Sequence, residues 1–173
     1  MGNERRNTGQ RRALYTPEQR LRRDQTPWTL VQGILAPLQF LVFLVSLGLV
    51  VHYFLTGDGL GAAIASVVLK TLILYTIMVT GAIWEKVVYG QYLFAPAFFW
   101  EDVVSMGVIA LHTAYLACWI LDIGSVEQQL GIALAAYAIY VVNAAQFLLK
   151  LRAARLDAQT GTPACLATEG VSA

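Results

Sequence analysis

This sequence predicts an all-α integral membrane protein, a four-helix transmembrane bundle with an aromatic loop on its cytoplasmic side. Three observations carry that reading. Apolar residues make up 57% of the chain and charged residues only 13%, with a mean hydropathy of +0.58, a balance foreign to soluble domains. Four apolar segments, about 28–55, 62–84, 102–122 and 130–150, are each long enough to cross roughly 30 Å of hydrocarbon as a helix. The positive charges gather on one side of those segments, as lysine and arginine do on the cytoplasmic side of membrane proteins.

The first element is a basic arm, residues 1–27, with no apolar core of the kind a cleavable signal peptide carries. Within it, TPEQ reads as a helix start: Thr16 caps, Pro17 takes the first helical position and Gln19 completes a capping box. The short helix that follows carries Arg20, Arg22 and Arg23 and is expected to lie on an anionic lipid surface. In TPWT, Thr26 caps again and Trp28 anchors the first span at the interface. That span is longer than the bilayer requires, and Pro37 supplies a kink about ten residues in.

The membrane domain covers 28–150 and the tail 151–173. Arg5, Arg6, Arg11, Arg12 and the three arm arginines precede the first span, Lys86 lies in the middle connection, and Lys150, Arg152 and Arg155 follow the last span. The other two connections hold only Asp58, Asp122 and Glu127, so both termini and the middle connection are expected in the cytoplasm. Residues before about 14 and after about 157 read as disordered. Cys118 and Cys165 form no CxxC pair or disulfide framework and read as incidental thiols.

Several polar side chains sit in apolar segments, where ionisable groups call for an explanation. Lys70 lies about two turns below the outer face and has a structural, snorkelling or functional reading. His112, near the middle of the third span, either ligates a metal or hydrogen-bonds across the bundle, and His52 reads as interfacial. Gln32, Gln39, Asn143 and Gln146 are either interhelical glue or a polar wall lining a pocket open to the cytoplasmic side. Tyr140, Asn143, Phe147 and Lys150 share one helical face.

The middle connection is the strongest signal. It reads GQYLFAPAFFWEDVV and packs Tyr92, Phe94, Phe98, Phe99 and Trp100 against two adjacent acids, Glu101 and Asp102. Such rings suit a flat, apolar ligand held by offset stacking. Glu85 closes the preceding span, so three carboxyl groups are expected at one membrane depth. Acids in a first helical turn favour the dipole, which accounts for Glu101 and Asp102 but not for Glu85. Lys86 is a candidate partner for Glu85. A carboxyl group facing apolar rings is easier to keep protonated, and such an acid can donate a proton to carbon.

IWEKVVYGQYLFAPAFFWEDVVSM, with PWTLVQGILAPLQFLVFLVSL, ALHTAYL and NAAQFLLKLRAARL, resembles the 2-vinyl bacteriochlorophyllide hydratase family over roughly residues 14–156. The resemblance implies an enzyme of the bacterial cytoplasmic (inner) membrane that adds water across the ring-A vinyl group of chlorophyllide or a bacteriochlorophyllide, giving a 1-hydroxyethyl group. It implies no cofactor of the protein's own, since the substrate carries its magnesium. Partners expected are that substrate, the lipid bilayer, and other pigment-synthesis enzymes or a second copy of the chain; nucleic acid is not expected.

Our residue reading fits that chemistry. Glu101 is the expected general acid, Asp102 the base that orients water, and Glu85 the group that steadies the developing cation; neighbours on a helix point about 100° apart, so Glu85 and Glu101 form an alternative pair. The aromatic residues with Asn143 and Gln146 form the expected substrate site. Lys86 or an arm arginine pairs with the substrate propionate, and His112 is a weak candidate axial donor to its magnesium, standing about 16 Å from Glu101 along the helix. A second class of reading is a non-enzymatic four-helix subunit that binds haem, quinone or pigment.

Overall fold

The structure, a computed structural model, describes residues 14–160. Arg5, Arg6, Arg11, Arg12 and Cys165, and the expected disorder of the first residues and of the tail beyond 160, lie outside the described residues; helix runs on to Thr160, a few residues past where disorder is expected to begin. The described residues form five helices: α1 (Pro17–Gln25), α2 (Pro27–Thr56), α3 (Leu60–Tyr89), α4 (Phe99–Ile120) and α5 (Val126–Thr160). Four of them, α2 to α5, are long and apolar enough to cross a membrane.

Helix boundaries follow local chemistry. The capping box at Thr16 forms as its sequence implies, with the Gln19 amide N–H donating to Thr16 Oγ1 at 3.2 Å and the Thr16 amide donating to Gln19 Oε1 at 2.9 Å. α2 runs unbroken through Pro37 and ends at Gly57, whose φ of 77° lies in the left-handed region that glycine enters without penalty. α3 extends past the expected end at residue 84 by more than a turn, because Gly90 (φ 88°) is the residue able to close it. Glu85 therefore sits inside a helix rather than at its end. At the start of α5, Ser125 and Gln128 exchange backbone hydrogen bonds of 2.9 and 3.3 Å, a second capping box.

The spans pack as two antiparallel hairpins, α2 with α3 and α4 with α5, joined more sparsely to each other. Polar bonds pin the first hairpin. Gln32 donates to Thr80 at 2.7 Å, and the Trp84 indole donates to Thr29 at 2.9 Å. Between hairpins, Phe43 packs on Tyr137 and Tyr140 with ring centroids 5.4 and 4.9 Å apart, and Ser46 bonds Tyr137 (2.6 Å) while also bonding Ser66 (2.7 Å) within its own hairpin. Small buried residues such as Ala63 and Ala133 let the backbones approach, as in membrane bundles generally. Large aliphatic residues, Leu30, Leu55, Val79 and Leu148 among them, point outward, as a lipid-facing surface requires.

α1 docks at the same end of the bundle as residues 90–98, the connection between α3 and α4. Tyr15 stacks on Tyr89 at 5.9 Å, the Tyr89 hydroxyl donates to the Leu14 carbonyl at 3.4 Å, and the Arg23 guanidinium lies 4.7 Å from the Tyr15 ring centroid.

Candidate active site

Three helices bring four charged side chains together at that end. Glu85 comes from the last turns of α3, Glu101 and Asp102 from the first turn of α4, and Lys150 from α5. All three acids are buried, at 5, 7 and 5% exposure respectively. Such burial is costly for carboxylates and needs a partner or a proton. Lys150 supplies one partner: its Nζ stands 2.6 Å from Glu101 Oε1, also donates to the Ala97 carbonyl, and lies 4.6 Å from the Phe98 ring centroid. The second oxygen of Glu101, Oε2, is buried with no hydrogen-bond partner among the described residues.

Glu85 and Asp102 form a different unit. Each reaches one of two consecutive loop amides, which sets the two carboxyl groups side by side, where a bond between them can form. Two carboxyl groups can share such a bond only when one of them holds a proton. Each also grips the connecting loop: Asp102 Oδ2 accepts the Phe94 amide N–H at 2.7 Å, and Glu85 Oε2 accepts the Ala95 amide N–H at 3.3 Å. Phe94 has a φ of 59°, a left-handed conformation that costs a bulky residue energy, and the Asp102 bond holds it there.

That loop path sorts the aromatic residues. Phe98 turns inward at 6% exposure and wedges among Trp84, Tyr89 and Phe147, with centroid distances of 5.7, 5.8 and 6.1 Å. It braces the site from within, so the expected ligand surface rests on its neighbours. Phe94, Phe99 and Trp100 form an exposed ridge, with Phe94 and Phe99 5.8 Å apart and Phe99 and Trp100 5.4 Å apart. Tyr92 is 61% exposed and stands beside Lys86, whose Nζ is 5.2 Å from its ring centroid.

Lys86 does not pair with Glu85. It donates to the Gly90 carbonyl at 2.8 Å and caps the end of α3, because adjacent residues on a helix diverge by about 100°. Asn143 is half glue: its Nδ2 donates to Ser105 Oγ at 2.8 Å, while its Oδ1, like Gln146 Oε1, is buried without a partner among the described residues. His112 is fully buried deeper in the bundle, its Nδ1 2.8 Å from the Val108 carbonyl. Sequence reasoning missed Lys150 as a site residue. The signal is in the sequence, since Lys150 is the one cation on the Tyr140–Asn143–Phe147 face, but a shared face does not say that the acids of α4 meet it.

Residues 15–153 match the protein family described as 2-vinyl bacteriochlorophyllide hydratase. The chain is 74% identical over 147 residues to the 2-vinyl bacteriochlorophyllide hydratase of Cereibacter sphaeroides, covering 84% of this chain and 91% of that one. It is 68% identical over 160 residues to the protein of the same name from Rhodobacter capsulatus, covering 92% of each. No solved structure matches the chain.

Proposed function

The chain belongs to the 2-vinyl bacteriochlorophyllide hydratase family, and from that premise we propose that it is a hydro-lyase adding water across the 3-vinyl group of chlorophyllide a or a related bacteriochlorophyllide. The observation that carries the chemistry is the buried Glu85 and Asp102, held on consecutive loop amides, set beside the Glu101–Lys150 ion pair and next to an exposed aromatic ridge; in our reading Glu85 and Asp102 share one proton. Hydration of a conjugated vinyl group needs one group that gives a proton to carbon and another that takes one from water. Here the two jobs fall to two differently charged units.

In this reading the Glu85–Asp102 pair gives its proton to the terminal vinyl carbon, which becomes the methyl group. The cation left on the adjacent carbon is shared by the macrocycle. Water forms its bond to that carbon and loses its proton to Glu101, whose carboxylate Lys150 pairs with and holds in place. Exchange with solvent returns the proton to the pair. Ionised Glu101 also steadies the cation electrostatically. The ion pair thus moves Glu101 from the expected acid to the base, and gives the acid role to Glu85 with Asp102. Positioned proton transfer of this kind contributes about 10²–10⁴ in rate.

Phe94, Phe99, Trp100 and Tyr92 are the surfaces for the flat substrate, and exposed Lys86 or an arm arginine is the match for its propionate. The enzyme brings no cofactor of its own in this scheme; magnesium arrives with the substrate. The lysine and arginine distribution supports a cytoplasmic (inner) membrane protein with both termini and the site on the cytoplasmic side. The test is direct: membranes containing this protein alone, incubated with chlorophyllide, give a product heavier by one water. Absence of that product with protein that binds the pigment overturns the proposal.

A further inference from the structure

Inside the bundle, side chains from four helices form a polar track that starts at the Glu101–Lys150 pair and continues into residues the catalytic scheme does not use. On α4, Glu101, Ser105, His112 and Tyr115 fall on one helical face. On α5, Lys150, Asn143 and Tyr137 meet them in turn: Lys150 pairs with Glu101, Asn143 bonds Ser105, and the Tyr137 ring lies 5.7 Å from His112. α3 contributes Lys70, fully buried, its Nζ 3.9 Å from the Tyr140 ring centroid. α2 contributes Gln39, one turn from the Phe43 that packs on Tyr140. From Lys150 to Tyr137 the track runs about 20 Å along the helix axis.

Its atoms are unmet. Glu101 Oε2, Gln146 Oε1 and Asn143 Oδ1 at the site end, and Gln39 Oε1, Lys70 Nζ, His112 Nε2 and Tyr115 OH further in, are all buried with no hydrogen-bond partner among the described residues. Nearly all buried polar groups in folded proteins are satisfied, and leaving this many unmet would rival the net stability of a domain. The three atoms nearest the site are all acceptor oxygens, and the deeper ones mix donor and acceptor. One small ligand answers both halves, because water donates and accepts and binds where two to four polar groups converge.

We infer that the bundle holds a file of bound water from Lys70 and His112 to the free oxygen of Glu101, and that the water consumed in each turnover is drawn from it. This rests on the hydratase reading. A flat apolar macrocycle seated on the aromatic ridge covers the mouth of the site and shuts out bulk water at the moment water is needed. The attacking molecule then donates one hydrogen to Glu101 and the other to the amide oxygens of Gln146 and Asn143, which share it, on the inner side of the carboxyl cluster.

Hydroxyl-radical footprinting by X-ray pulse tests the file in the wild-type protein, since bound water releases radicals that oxidise the side chains it touches. His112 and Tyr115, both buried, should be oxidised far faster than Leu130, equally buried in an apolar setting, after correction for intrinsic reactivity. Rates as low as that of Leu130 overturn the file. Its role is read from Asn143→Leu and Gln146→Leu: loss of one hydrogen bond to the attacking water should lower kcat about 10-fold with KM for chlorophyllide unchanged. An unchanged kcat, or a loss carried in KM alone, overturns the delivery role. If the wild-type protein hydrates no chlorophyllide, the hydratase reading falls, while the footprint still reports on the water.

Discussion

Lys150 Nζ and Glu101 Oε1 stand 2.6 Å apart across the α4–α5 contact, the one ion pair among the described residues that joins two helices. It gives one acid in a group of three a cationic partner, while the other two are held by backbone amides of the connecting loop. Removing Glu101 by Glu101→Gln keeps the shape and deletes the base, so activity should fall at least about 100-fold while pigment binding survives. Asp58→Asn, in the α2–α3 turn at the opposite end, should match wild type. Equal turnover in the two variants, assayed in membranes, would end the case for Glu101.

Lys150→Met strands a buried carboxylate, so it should both destabilise the bundle and lower activity by at least 10-fold, on the order of the cost of breaking a buried pair. The double variant with Glu101→Gln should be more stable than Lys150→Met alone, since no charge is left unpaired. Thermal unfolding in detergent measures this coupling. Additive losses would show that the pair is incidental.

Asp102→Asn separates loop anchoring from proton sharing. An amide oxygen still accepts the Phe94 amide N–H, so the loop should stay in place and the unfolding midpoint should move little. The variant nevertheless weakens the proton-holding unit with Glu85, and activity should drop about 100-fold or more. Asp102→Ala removes both functions and should lower stability as well. A fully active Asp102→Asn enzyme would leave Asp102 as an anchor only.

Regiochemistry follows from the position of the cation. In D₂O, one deuterium should enter the new methyl group. In H₂¹⁸O, the heavy oxygen should appear on the carbon attached to the macrocycle, without any need for O₂, nucleotide or reductant. A hydroxyl on the terminal carbon, found by mass spectrometry or NMR, would sink the acid mechanism.

Orientation has its own check. Cys165 should be unreactive towards an impermeant thiol reagent in intact cells and reactive in inverted vesicles, whereas Cys118, part-buried near the end of α4, should stay unlabelled in both. Labelling of Cys165 from outside would reverse the topology and move the proposed site off the cytoplasmic face.

Much of this protein was legible before its coordinates, and the misses have physical causes. Hydropathy located all four spans, because lipid demands long apolar helices. It placed the end of α3 too early, since mean hydropathy falls at Glu85 and Lys86 while the helix stops only where Gly90 takes a left-handed turn. The three acids were found together as expected from a helix–loop–helix connection. Lys150 was not added to them, because it lies far away in sequence and nothing local marks it as their partner. Nor does composition say which loop aromatic turns inward; Phe98 does so because Phe94 adopts a positive φ, set by a bond to Asp102 eight residues on.

The division into two tightly packed hairpins carries a consequence for how the protein is made. Glu85 belongs to the hairpin that leaves the ribosome first, whereas Asp102, Glu101 and Lys150 all belong to the second. Hairpins are natural units of insertion, each short turn allowing its two helices to enter the bilayer together. During synthesis the first hairpin therefore waits in the membrane with its acid unmated and residues 90–98 unanchored. Only when the later hairpin docks do the two carboxyl groups meet and tie down the loop between them. The carboxyl cluster is thereby missing from the half-made chain and comes together in the last step of assembly.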